Sequence, residues 1–275
     1  MSERRERPSA GVDATRVFAP LALLFVAFVA VPLVALGWRA VESGELAANL
    51  TSDLVLDAMR LSAVTSTIAL ALAILFGTPL AYLLARRDFP GKAVVDLIVD
   101  LPIVLPPTVA GVALLVAFGR RGVLGGRLDD LGLDVAFTTA AVVLAQLFVS
   151  APYYIRTVKA GFEGVSPAYE GVAATLGASP LRIFRRVILP LSWPSVLAGA
   201  ILCWARALSE LGATLVFAGN FPGRTQTMPL AIIGVFDAGR PLDVAIALGV
   251  ILVLAAAVLL VLLRLAARSA TRPSF

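Results

Sequence analysis

The chain has 275 residues, of which 59% are apolar and only 15% charged, with a mean hydropathy of +0.93. A soluble domain carries about 45–50% apolar and about 25% charged residues, so these proportions exclude an ordinary soluble fold and leave no room for a large aqueous domain between the apolar runs. The net charge of +5 lies at the ends of those runs, which argues against a nucleic-acid binder. The lack of histidine and the single cysteine, Cys203 inside an apolar run, exclude histidine-based metal or general-base chemistry and a disulfide framework.

The first apolar run, 17–38, follows Arg4, Arg5, Arg7 and Arg16. It is longer than the core of about 7–15 residues found in a secretory leader, so it reads as an uncleaved first span. Further runs at 61–85, 95–119, 138–158, 195–219 and 244–265 are each long enough to cross a bilayer, which takes about 20 residues. The expectation is an all-α polytopic membrane protein with six transmembrane helices over 17–265, short tails at 1–16 and 266–275, and no soluble domain after the last span. With the N-terminus inside, fifteen of the 23 basic residues fall on the inner side and seven on the outer, with Arg206 inside a span. The positive-inside rule therefore places both termini in the cytoplasm.

The outer segments 39–60, 120–137 and 220–243 are polar and glycine-rich, the first holding Glu42, Glu45, Asp53 and Asp57; the sequon Asn49-Leu50-Thr51 reads as chance. On the inner side, 86–94 is a tight turn around Pro90-Gly91. In the third span Pro102, Pro106 and Pro107, followed by Thr108, remove backbone donors and open the helix, a feature that marks pathway elements in transporters and, more plainly, packing kinks. Asp96 and Asp100 precede it at i, i+4, placed to be solvated or to pair with Arg182, Arg185 or Arg186. In the fifth span Arg206 and Glu210 stand four residues apart. A charge at a helix centre costs about 2.5–3.5 kcal/mol, so both are expected to face the bundle or a wet cavity and pair. A self-neutralising pair that fixes helix rotation is favoured slightly over a gate residue for an anion.

The longest inner loop, 159–194, has structure of its own. Ser166-Pro167 with Glu170 in the first turn is a helix start, followed by Tyr169, Val172, Ala173 and Leu176 at helical spacing. Gly177 ends that helix, and Ser179-Pro180 starts a second one. There Arg182, Arg185 and Arg186 share a face, and Pro190 and Pro194 break the chain before the fifth span. Such a loop is either an interfacial helix anchored to anionic lipid or a docking element for a cytoplasmic partner; composition does not choose between them.

The loop resembles the EAA loop of ABC importer permeases, E-A-A-x3-G-x9-I-x-L-P. Gly177 matches the glycine, Ala173 the second alanine, and Val187, Leu189 and Pro190 the I-x-L-P, while Gly171 and Val172 depart and Glu170 stands one residue early. Two more stretches, 101–122 with LPIVLPPTV and FGRRG, and 204–231, WARALSELGATLVFAGNFPGRTQTMPLA, are similar to molybdate permeases, close relatives of sulfate and tungstate permeases. The resemblance implies a type I importer permease fold and a homodimer in the inner membrane of a prokaryote. It also implies two cytoplasmic ATPase subunits docked on the loop and an external oxyanion-binding protein. Glu170, Ala173, Gly177, Arg182, Arg185, Arg186, Val187, Leu189 and Pro190 would couple to the ATPase, with Pro102, Pro106, Pro107, Thr108, Arg206 and Glu210 as candidate pathway residues. No cofactor is expected on this chain. A phosphate loop needs Gly-Lys-Ser/Thr, yet Lys92 and Lys159 are each followed by alanine, so ATP and magnesium belong to the partner. No nucleophile with a base is visible, which argues against an enzyme. An ion-coupled secondary transporter would not need a docking loop of this spacing.

Overall fold

The computed structural model describes residues 14–44, 52–132, 134–239 and 241–270, and among these residues every regular element is a helix. In chain order they are α1 (Ala14–Glu42), α2 (Asp53–Arg86), α3 (Lys92–Val104), α4 (Pro107–Phe118), α5 (Gly125–Asp130) and α6 (Thr139–Glu163). They continue with α7 (Pro167–Thr175), α8 (Pro180–Leu191), α9 (Trp193–Leu208), α10 (Gly212–Ala218), α11 (Met228–Asp237) and α12 (Leu242–Ala270). Glu45 and the sequon lie outside the described residues, as do 1–13 and 271–275 of the two tails.

The bundle is built on α2, α6 and α9. Small residues set the spacing: Ala69, Ala73, Gly77 and Ala81 of α2 are buried against α6, and a Cβ on Gly77 would stand 3.0 Å from Ile155 and 3.1 Å from Tyr154. In a bilayer no hydrophobic force draws helices together, so close backbone approach and buried hydrogen bonds do the holding. Thr78 Oγ1 and Tyr154 OH are 2.7 Å apart across this seam. Three main apolar cores follow. One joins α2, α3, α6, α8 and α9 around Tyr154, Phe162 and Ile188; another joins α4, α6 and α10 around Phe217; the third joins α2, α11 and α12 around Met228 and Leu248. α1 is exposed along its apolar length and touches the rest through α12, with an Arg39–Asp243 pair at 3.2 Å.

Several elements depart from the expected pattern. α2 begins at Asp53, eight residues before the apolar run, because the polar start is a serviceable first helical turn with an acid near the positive helix end. The third run is two helices, broken at Leu105-Pro106, and the fifth run is two helices, broken over 209–211. The segment 220–243, expected as a polar outer loop, has buried structure of its own. Thr225, Gln226 and Thr227 are buried, Thr225 Oγ1 takes the N–H of Phe221 and donates to the Gly219 carbonyl, and the helix α11 packs on α2. The turn at Pro90-Gly91 is present, with Gly91 at φ +86°. As continuous helices, α1, α2 and α6 are long and apolar enough to cross a membrane, with α8 and α9 adding a fourth if the bent pair is counted as one.

Candidate coupling loop and pathway breaks

After α6 the chain turns into α7 through Ser166, whose hydroxyl accepts from the Ala168 N–H at 3.3 Å, while Pro167 supplies a helical φ at the first position. α7 is short because of Gly177, which sits at φ +79°. The Ala178 N–H donates to the Ala173 carbonyl at 3.1 Å and the Gly177 N–H to the Ala174 carbonyl at 2.9 Å. This is the Schellman close of a helix, at a position where a Cβ is disfavoured. Ser179-Pro180 then starts α8. Its backbone widens into a π turn over Phe184–Ile188, two residues before Pro190, which has no N–H to continue the ladder. Pro190 stays within the helix; the break expected there falls at Ser192, where α8 and α9 meet at 73°.

The two loop helices are fastened differently. Arg86, in the last turn of α2, places Nε 2.9 Å from Glu170 Oε1, and its Nη2 donates to the Val165 carbonyl at 2.6 Å. The Arg86 side chain is only 11% exposed and that of Glu170 25%, so water screens this pair poorly. α8 is fastened by an aromatic trio, with Phe184 5.1 Å from Tyr82 and 5.9 Å from Phe162 between ring centres. Ala173, Val187 and Leu189 pack against the same core and so face the bundle. Outward-facing are Pro190, the three arginines of α8 and an apolar stripe of α7, namely Tyr169, Val172 and Leu176 at 57%, 61% and 82% exposure. Reading the sequence misses Arg86 and Phe184. The available signals were an arginine closing α2 and an aromatic on the face of α8 opposite Arg182.

Asp96 and Asp100 do not reach the arginines of α8. Arg156 of α6 binds both carboxylate oxygens of Asp100, Oδ1 of Asp96 at 2.8 Å and the Asp96 carbonyl at 2.9 Å, and Lys159 Nζ stands 2.8 Å from Asp96 Oδ1. The reason is packing: α3 lies on α6, whose basic residues at i, i+3 face it directly.

The helix breaks are brought together. Pro106 biases Leu105 to an extended backbone (φ −66°, ψ 133°), ending α3, and Pro107 opens α4. Pro102 is buried, whereas Pro106, Pro107 and Thr108 are exposed. On the other strand of this crossing Gly212 opens α10, and a Cβ there would lie 2.7 Å from Pro107 Cβ. Glycine is thus required where the two breaks touch. Arg206 Nη1 is 2.7 Å from Glu210 Oε2, and Glu210 Oε1 accepts the Ala213 N–H at 2.7 Å. Glu210 is 1% exposed, neutralised by a guanidinium and by the N-terminus of α10.

Described residues whose regular elements are all helices, with paired helix breaks and a loop closed by a Schellman glycine, have the form of a transporter membrane subunit. The family model described as the binding-protein-dependent transport system inner membrane component matches residues 77–272, and the chain belongs to that family. It is 44% identical over 255 residues to the molybdenum transport system permease protein ModB of Mycobacterium tuberculosis, covering 92% of this chain and 94% of that one. It is 38% identical over 244 residues to the molybdate/tungstate transport system permease protein WtpB of Thermococcus kodakarensis, covering 86% and 93%. Among solved structures, a bacterial ABC transporter involved in import of the acidic polysaccharide alginate superposes with a TM-score of 0.74 at 17% identity, over 94% of this chain and 96% of that one. The MetNI methionine transporter gives 0.60 at 18% identity over 79% and 94%. At these identities the two structures speak for the fold alone.

Proposed function

We propose that this chain is the permease subunit of an ATP-driven oxyanion importer, with molybdate as cargo and tungstate as the close second. The relatives named for molybdenum and molybdate/tungstate transport support that cargo. The subunit transports and is not itself an enzyme; ATP and magnesium reside on a separate cytoplasmic ATPase. Two copies frame the pathway in the inner membrane of a prokaryote, and an external binding protein delivers the oxyanion. Six crossings follow if α3 with α4, and α9 with α10, are each one interrupted span, and both termini then lie in the cytoplasm.

The observation that carries the reading is the inner loop. α7 presents Tyr169, Val172 and Leu176 outward on a short helix held by Arg86 and closed by Gly177. An apolar stripe exposed to water beyond a membrane bundle is a partner surface. Insertion of α7 into a groove on the ATPase would transmit ATP-driven closure to the bundle through Arg86 and α2. Gly177→Val tests this. Valine at positive φ costs about 1–2 kcal/mol, but a Cβ at Gly177 meets no atom of the subunit within 4 Å, so the bundle tolerates the change while the angle between α7 and α8 does not. The variant should reach the membrane at normal level, lose the ATPase on purification and fail to transport. Ala174→Val, on an exposed helical position, should keep both. Normal transport by Gly177→Val with ATPase bound would refute the docking role.

The cargo reading has its own check. A pathway must release what it passes, so selectivity resides in the binding protein and the permease binds weakly. Calorimetry on the purified chain alone should show weak molybdate binding or none, and sub-micromolar affinity would contradict this.

A further inference from the structure

Most basic groups at the inner end of the bundle are paired: Arg86 with Glu170, Arg156 with Asp96 and Asp100, Lys159 with Asp96, Lys92 with Asp88. Arg182, Arg185 and Arg186 differ. They are exposed, none has an ion pair or hydrogen bond among the described residues, and with Ser179 and Leu181 they line an open pocket of about 420 Å³ that contains no carboxylate. Three guanidinium groups converging without an acid form a site for a phosphate or another compact anion.

Beside this pocket runs an apolar groove of about 530 Å³, which the same Leu181 also lines. Its walls include Leu75, Pro79 and Tyr82 of α2 and Phe184 of α8, and Arg87 stands at its inner end. From Ile74 to Arg87 the groove follows thirteen residues of a membrane-length helix, about 20 Å at 1.5 Å per residue, enough for most of an acyl chain. α8 lies at 73° to α9, so when α9 crosses the membrane α8 runs along its surface at headgroup depth. The basic pocket and the apolar groove are therefore stacked in the order of a phospholipid, headgroup over chain.

We infer that this face holds an anionic phospholipid of the inner leaflet, its phosphate on Arg182, Arg185 and Arg186 and one chain in the groove along α2. Basic pockets at the cytoplasmic ends of membrane helices bind such headgroups through the field of the leaflet as well as by contact. A free phosphate would use the arginines and leave the groove unfilled, and an acidic surface of the ATPase would do the same. The lipid satisfies both halves. It would pin α8, and with it the joint at Gly177, against the membrane.

Native mass spectrometry of the delipidated full-length chain, offered dioleoyl phosphatidylglycerol or dioleoyl phosphatidylcholine, tests the site. The expected result is a preference for phosphatidylglycerol of roughly tenfold, abolished in R182Q/R185Q/R186Q and reduced in Leu75→Trp, which fills the groove. Excess glycerol 3-phosphate should not displace the lipid. The arginines are exposed, so the triple variant should remain monodisperse; if it does not, R185Q alone carries the same comparison. A preference that survives the arginine changes overturns the inference, as does displacement by glycerol 3-phosphate. So does a triple variant that binds the lipid normally but loses the ATPase, which would assign the arginines to that partner. The lipid-binding outcomes are independent of the Gly177→Val result, because the lipid is measured on the permease alone.

Discussion

Glu210 is held twice, by Arg206 on one oxygen and by the Ala213 N–H on the other. Removing one partner of a buried pair costs about 3–5 kcal/mol, because the survivor is left charged and unpaired. Arg206 has 24% of its side chain exposed, so the lower part of that range applies. Arg206→Leu should therefore lower the membrane-inserted yield clearly. The second site distinguishes charge from hydrogen bond. Adding Glu210→Gln removes the stranded charge and keeps an oxygen for the Ala213 N–H, so it should restore most of the yield. Adding Glu210→Leu removes the charge but also orphans that N–H at the start of α10, and should restore less. Equal yields for Arg206→Leu and both double variants would mean that the two residues are not coupled.

At the scale of the element, the joint between α2 and α7 is the sharpest feature. Arg86 binds a side chain, Glu170, and a backbone oxygen, that of Val165, with one guanidinium. Arg86→Gln should loosen α7 while leaving the buried α2–α6 seam in place, so insertion holds and ATPase retention on purification falls. The exchange Arg86→Glu with Glu170→Arg should recover only part of the retention, because a carboxylate cannot donate to the Val165 carbonyl. Full recovery would show that the ion pair alone matters. The sequence makes the helix starts of this loop legible because capping is local: Ser166-Pro167, Ser179-Pro180 and Gly177 act within a few residues of themselves. The side-chain partners are not local, which is why Arg86 and the aromatic trio of Tyr82, Phe162 and Phe184 are invisible before α2, α6 and α8 are packed. The same limit explains Asp96 and Asp100, whose partners depend on which helix α3 meets. The buried 225–231 segment escapes hydropathy for another reason: Thr225 and Gln226 are polar in composition but spend their hydrogen bonds internally, Thr225 with Phe221 and Gly219 and Gln226 with Asn220 at 2.9 Å.

For the whole molecule, hydropathy alone cannot separate a continuous span from one broken in the middle, since the apolar run is the same length in both. Among the described residues three continuous helices satisfy the length and apolarity of a crossing; the third run is divided at Pro106 and the fifth at Ser209 to Leu211, whereas the sixth lies in one helix, α12. Backbone groups freed by such breaks are tolerated at membrane depth only where protein or a wet cavity covers them, and here the breaks cover each other through Pro107 and Gly212. That mutual cover supports the proposal that each divided run is one crossing, under which successive loops alternate in side. Leu176 in α7 and Val123 before α5 then lie on opposite faces of the membrane, and both are well exposed, at 82% and 79%. Cysteine placed at each should report its side without removing the native thiol, because Cys203 is buried and inaccessible to bulky reagents. Val123→Cys should react with an impermeant maleimide in cells whose inner membrane is intact, whereas Leu176→Cys should react only after that membrane is opened. Docked ATPase would shield Leu176→Cys even then, so labelling should rise further when the ATPase is stripped away. Equal labelling of both positions in intact cells would place them on one side, which the single crossing proposed between them, α6, does not allow.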